Sequence, residues 1–109
     1  MVILIDIDGT ICPEGPPRDR PRAKPLPGAV RAVNRLTDEG HVVVLWTGRG
    51  WDEYVATKTW LDEHGFKYAQ VLMGKPIANL IIDDRARRFE GWDKDYVGTT
   101  KPGRSKTGT

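Results

Sequence analysis

With 109 residues, the chain is the size of one globular domain and has little room for a second. Its hydrophobic content of 39%, its charged content of 29% and its net charge of +2 are ordinary, and they do not by themselves indicate nucleic acid or a membrane as a partner. The single cysteine, Cys12, excludes an intrachain disulfide and a zinc site built from several cysteines. The sequence shows neither a secretory signal nor an apolar run of about 20 residues, so we expect a soluble cytoplasmic protein without a membrane span.

The amino-terminal part predicts a strand followed by a long loop. Residues 2–7 form a β-branched run that ends at the turn signal Asp8-Gly9. The lack of alternation with polar residues suits a strand that is buried on both faces, as in a parallel sheet. Six prolines between residues 13 and 28 predict an irregular loop over 11–28.

The middle of the chain predicts two helices around a second strand. Apolar residues recur at helical spacing after residue 28, and Gly40 can end that helix. Residues 42–46 are a second apolar β-branched run and predict a buried strand. A second helix is predicted over roughly 52–64, with Gly65 as its stop.

The last part predicts three short strands and a tail. Residues 70–73 predict a third strand, residues 79–82 a fourth and residues 96–97 a fifth. Residues 99–109 carry three basic side chains and no acid among Gly, Ser and Thr, so a disordered basic tail is predicted there. Strands that alternate with helices indicate βαβ units and an α/β fold with a mainly parallel sheet.

Acidic side chains stand at the ends of two of these strands. Asp6 and Asp8 close the first strand, and Asp83 and Asp84 close the fourth, while the hydroxyl of Thr47 follows the second. Ligands of open parallel sheets bind beyond the carboxyl ends of the strands, so these groups should converge there. Because carboxylates that approach closely resist ionisation unless a cation lies between them, the pattern predicts a Mg²⁺ site.

Four short motifs together resemble those of the haloacid dehalogenase superfamily. Asp6-Ile7-Asp8-Gly9-Thr10 is similar to its first motif, in which two aspartates flank one residue ahead of Gly-Thr. Thr47-Gly48-Arg49 resembles the second motif, Lys75 before a proline the third, and Leu80-Ile81-Ile82-Asp83-Asp84 the fourth. The motifs occur in the order of the family, which makes the set far more specific than any one of them.

The resemblance implies a phosphatase with a covalent intermediate. Asp6 would attack phosphorus and form an aspartyl-phosphate. Asp8 would protonate the leaving oxygen and then deprotonate the hydrolytic water. Thr47 and Lys75 would hold and neutralise the transferring phosphoryl group, and the loop residues Gly48 and Arg49 would contribute to substrate binding.

The resemblance also implies a cofactor and an architecture. Mg²⁺ would be held by the Asp6 carboxylate, the Asp8 backbone carbonyl and one acid of the final pair, with Asp84 the better direct ligand and Asp83 positioning a water or Lys75. The fold would be a three-layer Rossmann-like sandwich with strand order 3-2-1-4-5. Residues 1–98 would form this core, with the proline-rich loop 11–28 in a slot where relatives carry a cap.

Neither slot for a cap is long enough for a folded cap domain, so an open site is expected. Loop 11–28 carries four basic residues against two acidic ones and could attract a phosphorylated sugar, a nucleotide or a nucleic-acid end. A phosphorylated small molecule is the favoured substrate, nucleic acid is a weaker candidate, and a homo-oligomer that completes the site stays open. The alternatives to a phosphatase are a phosphotransferase, a phosphatase of polynucleotide ends, a phosphate-binding protein without turnover and a signalling receiver domain.

Overall fold

A computed structural model describes residues 1–98, so the tail predicted over 99–109 lies outside the described residues. The regular elements alternate between strands and helices along the chain. They are β1 (Val2–Asp6), α1 (Ala29–Asp38), β2 (Val42–Trp46), α2 (Tyr54–Glu63) and β3 (Gln70–Leu72), with short 3-10 helices at Pro17–Arg22 and Trp51–Glu53. Within residues 1–98, none of the helices has the length and apolar character needed to cross a membrane.

The three strands form one parallel sheet in the order β1-β2-β3. Asp6 lies opposite Trp46 in the register, and Trp46 lies opposite Leu72, so the carboxyl ends of all three strands reach the same edge. The predicted α/β class and the parallel pairing of the first three strands are therefore confirmed.

Both helices pack on one face of this sheet. Alternate strand residues such as Ile5 and Leu45 share one buried cluster with Val33 of α1 and with Trp60 and Leu61 of α2. The opposite face carries Val2, Leu4 and Val42, which are 66%, 50% and 47% exposed. The described residues thus form two layers rather than three, and β1 is not buried on both faces as the sequence suggested.

The predicted fourth and fifth strands are wrong for this structure. Residues 79–82 and 96–97 are irregular, and Ile82 is 91% exposed. A parallel strand is normally reached through a crossover of roughly a dozen residues or more, usually helical, whereas only residues 73–78 separate β3 from residues 79–82. With neither a crossover helix nor a partner strand, β propensity alone does not make a strand of this run. Of the predicted strand order 3-2-1-4-5, the described residues show only the part β3-β2-β1.

Loop 11–28 is a strap fixed to the body of the protein and not a cap domain. Leu26 N–H donates to the Ile11 carbonyl at 2.8 Å, and Trp60 Nε1–H donates to the Ala23 carbonyl at 2.9 Å. Arg20 in the 3-10 helix forms a salt bridge with Glu53, which directly precedes α2. These contacts hold the basic loop along α2, from the residue before the helix to Trp60.

The one-sided core predicts unequal effects of two leucine truncations in neighbouring strands. Leu45→Ala, at a fully buried position, should lower the free energy of unfolding by about 2–5 kcal/mol. Leu4→Ala, on the open face, should lower it by less than about 1 kcal/mol. Urea unfolding measures both values, and equal losses would contradict the two-layer arrangement.

Candidate active site at the carboxyl edge of the sheet

The turn after β1 fixes the position of Asp8. Ile7 N–H donates to the Trp46 carbonyl at 2.8 Å, which extends the ladder by one residue, and Gly9 N–H donates to the Cys12 carbonyl at 2.8 Å. Gly9 has a φ of 83°, in the left-handed region that favours glycine. The chain therefore reverses immediately after Asp8 and leaves its carboxylate beside the end of β2.

The turn after β2 is hydrogen-bonded to the segment that follows β3. Thr47 N–H donates to the Leu72 carbonyl at 3.0 Å, and Lys75 N–H donates to the Thr47 carbonyl at 2.8 Å. Gly48 lies half-buried in this contact, since a Cβ on it would meet the Lys75 carbonyl oxygen at 3.4 Å. These backbone bonds place Lys75 over the end of β2, although it belongs to the chain beyond β3.

Asp6 and Lys75 form the first acid–base pair of the site. Lys75 Nζ lies 3.3 Å from Asp6 Oδ1 and 5.1 Å from the centroid of the Trp46 ring. Burial raises the pKa of the Asp6 carboxyl above its ordinary value, and the charge and hydrogen bond of Lys75 oppose this effect without cancelling it. The pair is partly open to solvent, with Asp6 32% and Lys75 20% exposed at the side chain, so an incoming group can reach it.

Asp8 and Arg49 form a second, more buried pair. Arg49 Nη2 lies 2.8 Å from Asp8 Oδ1, Arg49 Nε lies 3.2 Å from both carboxylate oxygens, and Thr47 Oγ1 donates to Asp8 Oδ2 at 2.8 Å. Burial raises the pKa of Asp8, but the hydrogen bonds from Arg49 and Thr47, with the positive charges of Arg49 and Arg20, outweigh it and bring the pKa below its ordinary value. Asp8 is therefore held as a carboxylate.

Arg49 is anchored on its other side by two residues that sequence reasoning did not assign to the site. Its Nη1 donates to Thr57 Oγ1 at 3.0 Å, and its Nη2 lies 3.9 Å from Cys12 Sγ. Thr57 lies on α2 and is 1% exposed. The sequence carries no signal for this role, because a single threonine in a helix of weak amphipathic pattern does not indicate a partner in the preceding loop.

The fourth motif is not brought to the other three. Asp83 and Asp84 are exposed, and Asp83 Oδ1 accepts a hydrogen bond from Arg85 N–H at 2.8 Å within its own turn. Among residues 1–98, no group of three or more His, Cys, Asp or Glu side chains is assembled as a metal site. The structure thus unites Asp6, Asp8, Thr47, Gly48, Arg49 and Lys75, and it leaves Asp83 and Asp84 outside.

The comparisons with known proteins support the fold alone. No protein-family model matches the chain, and no curated protein matches it. Among solved structures, the chain is similar to a structural-genomics target from Vibrio cholerae, with 26% sequence identity and a TM-score of 0.67 over 81% of this chain and 84% of that one. Fold and site together define a small α/β protein with two acid–base pairs at the carboxyl edge of a parallel sheet.

The buried thiol beside this site should be chemically quiet. Burial, with the negative charge of Asp8, raises the pKa of Cys12 to about 11, against the opposing charge of Arg49. Because the thiolate is the reactive form, labelling with an aromatic disulfide at pH 8 should be at least about 100-fold slower in the folded protein than in urea. Cys12 is the single cysteine, so the signal reports this site, and fast labelling of the folded protein would contradict the described burial.

Proposed function

We propose that the protein is a magnesium-dependent phosphatase of the haloacid dehalogenase type, acting on phosphomonoesters through an aspartyl-phosphate on Asp6. The observation that carries the proposal is the Asp6–Lys75 pair at the carboxyl end of β1, with Nζ 3.3 Å from Oδ1, beside Asp8 and Thr47. It supplies a nucleophilic carboxylate and a cation that can neutralise a phosphoryl oxygen at the same place.

In the first step, an Asp6 carboxylate oxygen attacks phosphorus while the bond between phosphorus and the ester oxygen breaks. Because Asp8 is held as a carboxylate, it first has to accept the proton of a singly protonated phosphate group of the substrate, and it then passes that proton to the leaving oxygen. The phosphoryl group stays on Asp6 as an acyl phosphate. Lys75 neutralises charge on the transferring group. The hydroxyl of Thr47 donates to Asp8 in the substrate-free protein, and it has to turn away from Asp8 to hold a phosphoryl oxygen.

In the second step, a water molecule attacks the phosphorus of the acyl phosphate. Asp8 accepts the proton of that water, the phosphorus–oxygen bond to Asp6 breaks, and inorganic phosphate leaves with the Asp6 carboxylate restored. The carboxylate form in which Arg49 and Thr47 hold Asp8 is the form that this base requires. The partial exposure of Asp6 favours water over a sugar hydroxyl as acceptor.

The residues fit Mg²⁺ in kind, because Asp6, the Asp8 carbonyl and Asp84 offer the hard oxygen ligands that this ion prefers. When bound, the ion would neutralise phosphate charge and help to fix the substrate. Of the final acid pair, Asp84 would be the third protein ligand, and Asp83 would position a water or Lys75. Asp84 lies outside the site, so residues 76–84 have to fold back toward Asp6.

The chain is long enough for this movement. Lys75 is already anchored beside Asp6, and nine further residues lead to Asp84. Such a segment spans roughly 30 Å when extended, which allows a loop that returns to its starting point. The exposed apolar side chains of the segment also favour a second arrangement in which they are covered, since Ile77 and Ile82 are each 91% exposed.

Hydrolysis of an aryl phosphate tests the proposed function. Asp6→Asn should reduce kcat at least about 1,000-fold because it removes the nucleophile, and Asp8→Asn should reduce it at least about 100-fold. Asp38→Asn is the matched control, since Asp38 ends α1 and pairs with Lys67 on the surface. The proposal fails if the protein turns over without Mg²⁺ or if Asp6→Asn keeps its activity, and labelling without turnover would favour a signalling role.

Thermal unfolding tests the metal site independently of turnover. Mg²⁺ at about 100 times its Kd should stabilise the protein by about 2.7 kcal/mol. Asp84→Asn should lose most of this stabilisation and Asp83→Asn little, and amides of residues 79–82 should gain protection from hydrogen exchange with the metal. Equal stabilisation of wild type and Asp84→Asn would contradict the assignment of Asp84 as a ligand.

A further inference from the structure

Thr57 is linked to Asp8, the proposed proton-transfer residue, through the side chain of Arg49. Its hydroxyl oxygen accepts a hydrogen bond from Arg49 Nη1 at 3.0 Å, and Thr57 is buried to 1% exposure on α2. Arg49 in turn holds the Asp8 carboxylate with Nε and Nη2. A continuous chain of hydrogen bonds therefore runs from helix α2 to Asp8, the proposed general acid and base.

The geometry of the guanidinium makes this chain rigid. The group is planar and carries five N–H donors in a fixed arrangement. One edge, formed by Nε and Nη2, faces both oxygens of Asp8, and Nη1 reaches Thr57. Because the guanidinium plane is held at both sides, Arg49 cannot rotate without losing one contact. Thr57 therefore restricts the orientation in which Arg49 binds the Asp8 carboxylate.

This use of Arg49 differs from the phosphate contact expected for it. Four of its five donors are directed at Asp8, Thr57 and Cys12, so it has little capacity left for a substrate oxygen. Arg49 is also 8% exposed, whereas a group that steers phosphate should be open to solvent. Both observations favour a structural hold on Asp8.

We infer that Thr57 is a positioning residue, which fixes the Asp8 carboxylate for proton transfer by orienting the Arg49 guanidinium. The inference rests on the proposed phosphatase activity, since it concerns the group that would move protons there. A proton donor or acceptor has to lie within hydrogen-bond reach of the reacting oxygen, and displacements of about 1 Å can reduce rates about 100-fold. Thr57 would thus affect the chemical step and not substrate binding.

Two substitutions of Thr57 distinguish the effect of its hydroxyl group from the effect of its side-chain volume. Thr57→Val keeps the shape and removes the acceptor, and it should lower kcat for an aryl phosphate about tenfold while KM stays within about twofold. Thr57→Ser keeps the acceptor and should retain kcat within about twofold. Arg49→Lys, which cannot make the two-sided contact, should lower kcat more than Thr57→Val does.

Two controls separate positioning from loss of stability. Thr59→Val makes the same change at an exposed position of the same helix, and Val33→Ala destabilises the shared core without touching Arg49. Both should keep the wild-type kcat below their unfolding temperatures. If Thr57→Val does not fold, Thr57→Ala carries the same expectation for kcat.

The outcomes distinguish this inference from the proposed function. A wild-type protein without Mg²⁺-dependent turnover overturns both. An active wild type whose Thr57→Val variant keeps full kcat overturns the positioning role alone. An equal loss of kcat in Thr57→Ser and Thr57→Val also overturns it, because the serine hydroxyl should rescue the contact.

Discussion

Parallel pairing of three short strands brings their carboxyl ends to one edge, and the turns that leave those ends are hydrogen-bonded to one another. Thr47 N–H donates to the Leu72 carbonyl, and Lys75 N–H donates back to the Thr47 carbonyl. These backbone bonds hold the turns that carry Thr47 and Lys75 beside each other. They therefore give the charged side chains of the site a hydrogen-bonded support.

Two carboxylates only two residues apart are given opposite surroundings by this arrangement. Asp6 faces the ammonium group of Lys75 at a partly buried position, and this burial raises its pKa. Asp8 accepts hydrogen bonds from the guanidinium of Arg49 and the hydroxyl of Thr47, and these lower its pKa. The more deeply buried pair is also the more completely hydrogen-bonded one, as expected, because an unpaired buried charge costs about 3–5 kcal/mol. The lowered pKa of Asp8 suits the step in which it accepts a proton from water.

The sequence sufficed for the parts of the fold and site that depend on strand ends. An apolar run followed by a turn signal located Asp6, Asp8 and Thr47, and parallel pairing then placed them together. Thr57 could not be found in this way, because its partner lies eight positions back in a loop whose path depends on the bonds to residues 72–75. The run 79–82 was misleading for a related reason: a strand needs a neighbour in space, and a sequence window reports only composition.

The exposed position of residues 76–84 is consistent with the free energies involved. Covering the large apolar side chains of the segment would contribute about 1.5–3 kcal/mol each. Each residue that has to be fixed anew in a second arrangement would cost about 1–2 kcal/mol in backbone entropy. Because these contributions oppose each other, a further favourable interaction would help to bring Asp84 to Asp6. A divalent cation between the two carboxylates would supply it, and binding of the metal and ordering of the segment would then be one coupled equilibrium.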